Sequence, residues 1–333
     1  MRSIRIAARL AAALTFLAVV NATCAGAQET VRITNIGHGY YAGPLYVAIR
    51  EKLFEKHGLK ADVTFVKGGA LVLQSLLSKD ADFGVLTYEH VITAAAQGKS
   101  LVQIFNITTR PINNMIASGD LMKADANMSL EQKILSLKGK RVGTPSAGGS
   151  GEKMLGVLAK QYGLKLPGDI ELVYLGADAP AYVGAFQAKM IDAAIPFEPA
   201  GAMLEQKKLG GILINLMNGD VEQFRDLVFM GVVTNPDTIK NRPDLVKKVA
   251  AVFSEAQGIL LDPARGKKIM AEEFPDMSPE TNERSYELLA QIWSKDGRMT
   301  LEGAKKVYNF LQPPGDKTIE FEKTFTNEFL PSK

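Results

Sequence analysis

Short alternating or wholly apolar runs take turns with amphipathic stretches from Val31 to Ile107. Val31 to Ile36 alternates as a strand does. Leu45, Ala48, Ile49, Leu53 and Phe54 then fall on one helical face, opposite Arg50, Glu51, Lys52, Glu55 and Lys56. His57 and Gly58 close that helix, the glycine taking the left-handed cap and the histidine favouring the negative end of the dipole. Strand 63–66, helix 70–78, strand 83–86, helix 89–97 and strand 101–107 follow. Strict alternation of this kind predicts a mostly parallel sheet with helices on both faces.

The pattern then repeats. Leu76 to Val85 has a counterpart in Ala185 to Ile195, each a helix end, a Lys, an Asp three residues on, and a strand; Gln97 to Val102 finds another at Gln206 to Ile212. Offsets of 110 (Asp82 to Asp192) and 109 (Gln97 to Gln206) mark one unit used twice, too few copies for a solenoid but suited to two similar lobes. The expected fold is α/β, two doubly wound lobes joined by two crossovers. The crossovers are placed at Asn113 to Ser118 and Leu227 to Thr234, giving a first lobe of 28–113 plus 232–333 and a second of 114–231. Beyond Thr234 the grammar becomes helical, with 243–261, 263–274, 278–293 and 301–311 separated by Pro, Asp or Gly breaks and expected to buttress the first lobe. Trp293 and Tyr286 share one face there, as core residues.

The amino terminus reads as an export signal. Arg2, Arg5 and Arg9 precede the uncharged run Leu10 to Val20, and Ala25-Gly26-Ala27 offers a small-x-small cleavage site before Gln28. Cys24 lacks the neighbours a lipid-attachment site would want. It is the only cysteine, so cleavage would remove disulfides, thiolate metal sites and cysteine nucleophiles from consideration. Loss of the signal also takes three arginines from 39 Lys+Arg, leaving 36 against 36 Asp+Glu. No whole-chain field then draws in nucleic acid, and none is expected as a partner.

In parallel open sheets, ligands sit outside the carboxyl ends of the strands. The loops there supply the candidates: His38, Tyr40 and Tyr41 among glycines; Gly69; Thr87 and Tyr88; Arg110; Ser146, Gly149 and Ser150; Phe197 and Glu198. The stretch Lys138 to Glu152, a strand, a turn of small hydroxyl-bearing residues and a helix start, can aim N–H groups at an anion. It is equally a βα turn with Ser150 as N-cap. It matches neither a Walker loop nor a dinucleotide fingerprint. Tyr40 and Tyr41 would form a stacking wall. His38 and His90 lack partners at metal-motif spacing, and adjacency on a helix would point Glu89 and His90 apart. No nucleophile elbow or triad occurs, and no cofactor or metal is expected.

Pro44 to Ala48 through Leu53-Phe54-Glu55-Lys56-His57-Gly58-Leu59, Gly68-Gly69, Ser78 to Gly84, Leu137 to Gly143, Ser150-Gly151 and Ile191 to Pro199 together resemble a family. It is that of the type 2 periplasmic solute-binding proteins of ABC importers, in the branch serving nitrate, sulfonates, taurine and thiamine-precursor pyrimidines. Phe197 stands where that branch often has Trp. The resemblance implies a soluble periplasmic monomer, not an enzyme, that closes on a small-molecule ligand and delivers it to a membrane permease. The hinge is expected near Asn113-Asn114 and Val232-Val233. The hydroxyls and Arg110 suit an organic anion, a sulfonate or carboxylate, whereas Glu198 would welcome an amine. Synthases of the thiamine pyrimidine share the fold but add a Cys-rich iron segment. A ligand-sensing receptor subunit is a third reading.

Overall fold

A computed structural model describes residues 28–122, 128–311 and 318–332; the export signal read over 1–27 lies outside them. Ten strands, β1 (Glu29–Ile36), β2 (Leu59–Val66), β3 (Phe83–Thr87), β4 (Val102–Asn106), β5 (Met115–Ser118), β6 (Arg141–Thr144), β7 (Glu171–Tyr174), β8 (Ala193–Ala194), β9 (Gly210–Ile214) and β10 (Met230–Thr234), form two five-stranded sheets. Their orders, β2-β1-β3-β10-β4 and β7-β6-β8-β5-β9, are the same pattern twice. This is the expected pair of doubly wound α/β lobes. Each sheet holds one strand contributed from across the molecule: β10 lies antiparallel between β3 and β4, and β5 antiparallel between β8 and β9. The parallel strands all run toward the space between the lobes, so a segment arriving from that space enters at their carboxyl ends and must run backwards. Val232 and Val233 are therefore paired on both sides and buried. They thus lie inside the first sheet and not in a connection, where the hinge was expected; the connections between the sheets are 107–114 and 215–229.

The repeat noticed in the sequence has a structural content. Asp82 accepts bonds from the N–H and Nε of Arg32 (2.9 and 3.2 Å), and Asp192 from the N–H and Nε of Arg141 (2.9 and 3.2 Å). In each lobe this carboxylate, just before the central strand, ties that strand to its neighbour, at Arg32 within β1 and at Arg141 at the start of β6. Lys79 and Lys189, at matching places before the two aspartates, both take left-handed backbone conformations (φ 64° and 54°).

Strands β3, β4 and β10 are buried along their whole length because helices cover both faces, whereas edge strand β2 alternates. The exposed edge of β4 is closed by the carboxyl-terminal segment, Gln103 pairing with Thr324 and Thr326 through 2.9 Å backbone bonds. The first long helix is broken into Gly43–Arg50 and Leu53–Lys56 by a left-handed Lys52 (φ 53°). That turn lets Leu53 and Phe54 both enter the core, Phe54 against Phe253 of helix Pro243–Leu261. The helix expected to reach Trp293 ends at Ala290, because the backbone of 292–294 bonds to 107–109 of the first connection instead. Trp293 is nevertheless core, edge-on to Tyr286 at 5.1 Å.

Helices Pro243–Leu261 and Pro263–Glu273 pack on the first lobe as expected. Helix Pro279–Ala290 does more, because it also grips helix Ala200–Gln206 of the second lobe. Arg284 pairs with Glu205 at 2.8 Å, and Gln206 bonds to Ser278 (2.6 Å) and Thr281 (2.9 Å).

Candidate functional site

On the first lobe the loop after β1 carries His38, Tyr40 and Tyr41, but its aromatics divide. Tyr40 is wholly buried, stacks on Phe274 at 4.5 Å and bonds to the Asn282 side chain, so it fills core that only the distant helices provide. His38 is turned to Glu273 (2.8 Å) and Phe274. Tyr41 instead reaches between the lobes: its hydroxyl donates to the Ile36 carbonyl and its ring lies 5.3 Å from that of Phe197 in the second lobe. Burial raises the phenol pKa of both tyrosines, so both stay neutral.

The loops after β2 and β3 meet beside this. Gly69 opens helix Gly69–Leu77, and a Cβ there would collide with the His90 imidazole. Thr87 ends β3, and Tyr88 is drawn into the core by its bond to Thr324, a wall residue in the sequence but a packing residue in the structure. Glu89 and His90, expected to point apart, approach to 3.8 Å at the ends of their side chains. Burial, assisted by the Lys153 charge, pushes the His90 imidazole down to about 4, so it is neutral at pH 7. Burial also raises the Glu89 carboxyl, with Lys153 and the Thr87 hydroxyl opposing.

The second lobe answers with the loop before helix Ser150–Gln161. Its N-cap is Gly149, which has no side chain to cap with, and Ser150 is the first helical residue, buried to 6 % exposure. Ser150 is thus not the cap that its position suggests. Ser146 is exposed, and the Gly148 N–H donates to the Glu152 carboxylate (2.9 Å). What the loop still offers is the first-turn N–H groups at Ser150 and Gly151, which have no acceptor inside an α-helix. Gly151 is closely covered by Ile195, so its backbone sits against the end of β8. Lys153, one turn on, brings its Nζ to 3.9 Å from Glu89 across the lobes.

Phe197 is half-buried against Tyr41, whereas Glu198 turns away into the lobe contact. It accepts the Ala202 N–H (3.0 Å) and is pushed up to about 7 by burial, with Glu205 adding to the rise and Arg284 opposing it. Arg110 donates to the carbonyls of Met217 (3.0 Å) and Asn218 (3.2 Å), bracing one connection against the other. Asn114 does likewise, accepting the Met217 N–H at 3.0 Å. The structure therefore brings Tyr41, Gly69, Thr87, Ser150 and Phe197 toward the space between the lobes. Tyr40, Tyr88, Glu198, Arg110 and His38 take structural partners. Asn35, Glu89, Asn113, Thr144 and Lys153 were not among the site residues expected from the sequence, although Glu89 was weighed beside His90 and Asn113 as a hinge residue. The first four are buried and carry side-chain oxygens with no hydrogen-bond partner, and their signal in the sequence was position alone, at strand ends and in the first connection.

A groove of about 480 Å³ on the outer side of the first lobe is lined by Glu51, Lys56, Glu255 and Arg265, whose charges pair with one another. It has the character of a solvated ion-pair rim. Among the described residues no three His, Cys, Asp or Glu side chains converge as a metal site needs, and no helix is long and apolar enough to cross a membrane.

Two matched lobes with their strand ends and buried polar groups turned toward each other define the periplasmic-binding-protein fold. The chain belongs to the NMT1/THI5 like family, whose model matches residues 40–265. A candidate binding protein of Brucella abortus is 27% identical over 228 residues, 68% of this chain and 66% of its own length. The 4-amino-5-hydroxymethyl-2-methylpyrimidine phosphate synthase of Aspergillus parasiticus is 21% identical over 309 residues, covering 90% of this chain and 86% of the synthase. A Bordetella bronchiseptica protein of known structure superposes with a TM-score of 0.78 at 20% identity, covering 90% of this chain and 95% of its own. The alkanesulfonate-binding protein SsuA of Xanthomonas axonopodis, bound to MOPS, gives 0.64 at 19% identity, covering 86% and 92%. These two share the fold.

Proposed function

We propose that the protein is the periplasmic solute-binding subunit of an ABC importer, closing as a monomer on a small organic solute and presenting it to the membrane permease. The observation that carries this reading is the meeting of side chains from both lobes at the strand ends, Tyr41 with Phe197 and Glu89 with Lys153. Such a site is completed only when the lobes close, which is the hinge mode of binding proteins. The solute's acidic group, sulfonate or carboxylate, is assigned to the Ser150 hydroxyl and the first-turn N–H groups at Ser150 and Gly151, where the helix dipole favours negative charge. Tyr41 and Phe197 flank its organic body. The name of the SsuA neighbour agrees with this class. The synthase reading has the Aspergillus similarity behind it, but Cys24 is the single cysteine of this chain and no Cys-rich segment accompanies it.

A thermal-shift screen over sulfonates, carboxylates, nitrate and pyrimidines tests the proposal, since a solute at a hundredfold excess over Kd stabilises by about 2.7 kcal/mol. Ser150→Ala should weaken the best acidic solute by about tenfold to a hundredfold, the loss of one bond to a charged group. Because Ser150 caps nothing, melting of the unliganded variant should be unchanged. Stabilisation by nitrate alone, or an affinity within twofold of wild type in the variant, would contradict the assignment.

A further inference from the structure

Helix Pro279–Ala290 is rooted in the first lobe and helix Ala200–Gln206 in the second. In the first helix Asn282 accepts from the Tyr40 hydroxyl, and the Tyr286 hydroxyl donates to the Leu260 carbonyl at 2.6 Å. In the second, Ala200 and Leu204 are buried in the core of their own lobe. Each helix therefore moves with its lobe, and any change in the angle between the lobes must part or shear the seam where the two helices meet.

That seam is polar and built to be separable. Arg284 holds both carboxylate oxygens of Glu205, at 2.8 and 3.4 Å. Gln206 uses both ends of its amide, Nε2 donating to the Ser278 hydroxyl (2.6 Å) and Oε1 accepting from the Thr281 hydroxyl (2.9 Å). Ser278 is the N-cap of its helix, accepting the Thr281 N–H at 3.1 Å, so the second lobe takes hold at a fixed point of the first. Arg284 and Glu205 both reach solvent, which can satisfy them when the seam parts. Beneath them Glu198 and Ser285 face each other, buried, and the Ser285 hydroxyl has no hydrogen-bond partner. A permanent interface pairs its buried polar groups, whereas this one leaves a hydroxyl that water would satisfy on separation. The seam is made in the same conformation that brings Tyr41 to Phe197 and Lys153 toward Glu89. It thus belongs to the closed arrangement of the lobes, although it shares no side chain with Tyr41, Gly69, Thr87, Ser150 and Phe197 at the strand ends.

We propose that this seam is a latch: Arg284 on Glu205, and Gln206 on the cap of the facing helix, hold the lobes closed without touching the solute, so that a share of the molecules is closed before any solute binds. This rests on the lobe motion of the solute-binding reading and adds to it a control outside the cleft. Arg284, Glu205 and Gln206 act as positioning residues, setting how far the equilibrium lies toward the closed form. Since a bound solute draws on that equilibrium, loosening the latch weakens every solute by one common factor, whatever its chemistry.

The test needs no solute. Fluorophores on Leu71→Cys and Ala177→Cys, exposed on opposite lobes, in the full chain carrying Cys24→Ser, count closed and open molecules by single-molecule energy transfer. Unliganded wild type should show both distances. Arg284→Ala and Gln206→Ala should each lower the closed-to-open ratio by about fivefold, the worth of one part-exposed polar contact. The melting temperature should hold, because these side chains lie at the surface of the seam. A ratio unchanged in both variants would overturn the latch, and so would an earlier melt with the ratio intact, which would make the seam a packing contact only. A ratio that rises would overturn it too, since the seam would then hold the lobes apart, as would a wild type that never visits the short distance without solute. Each of these leaves the solute-binding reading standing. Lobes that keep one distance in every variant, with or without the sulfonates, carboxylates, nitrate and pyrimidines of the thermal-shift screen, would overturn that reading and this inference with it.

Discussion

Asp82→Asn should lower the stability of the protein by about 2–3 kcal/mol, while Asp192→Asn, its counterpart in the second lobe, should cost about 1 kcal/mol. Asp82 is 6% exposed and accepts from the Arg32 N–H and guanidinium and, at 2.9 Å, from the Arg242 guanidinium. Asp192 has only the Arg141 set and its side chain is 29% exposed. The arginines are themselves more than a third exposed, so both figures are kept well below the sum of their bonds. Burial alone would raise the Asp82 carboxyl, but Arg32 and then Arg242 outweigh it and hold the pKa below the usual carboxylate value. The ionised Asp82 therefore stabilises the fold at neutral pH, and that contribution is lost as pH falls through its lowered pKa. Denaturant melts of the two variants at pH 7 and at acid pH check this. Equal losses in the two lobes would contradict it.

Glu198→Gln should act in the opposite sense. The carboxyl is raised from 4.5 to about 7, burial being the main cause, and a displacement of that size is worth roughly 3 kcal/mol of differential stability. Protonated Glu198 favours the folded state. That advantage is complete below about 4.5, fades as pH rises toward 7, and is absent at pH 8. Gln keeps an acceptor for the Ala202 N–H without the charge. Melting of the variant should thus be flatter between pH 5 and 8, and at pH 8 it should exceed wild type by about 2–3 kcal/mol. An unchanged pH slope would mean that the carboxyl is solvated in solution.

Both aspartates were legible in the sequence as members of a repeat, because the lysine and the aspartate lie three residues apart in each copy, whereas their arginine partners, 50 and 51 residues earlier, were not part of that pattern. The two-lobe fold followed from that repeat and from strict alternation. The reversed direction of β10 was not legible: Met230 to Thr234 is buried on every residue, and such a run carries no sign of which way its neighbours point. In the site, Tyr40 and Tyr88 looked like walls because Asn282 and Thr324, which draw them into the core, lie more than 230 residues away along the chain. Ser150 was misplaced by one position because Gly149 can hold the cap conformation with no side chain. Glu89 was passed over because adjacency on a helix sets two side chains apart at their roots, whereas the ends of these two still approach to 3.8 Å.

The central claim is that a solute closes these lobes, and a distance between them tests it most directly. Leu71, on the helix after β2, and Ala177, in the loop after β7, are exposed at the mouth on opposite lobes. Fluorophores on Leu71→Cys and Ala177→Cys in a Cys24→Ser background would report single-molecule energy transfer with and without the solute that most raises the melting temperature. The account predicts a shift at saturation to one population with the shorter distance, half complete at the calorimetric Kd. A solute that binds with the same Kd and leaves the distance distribution unchanged would contradict it.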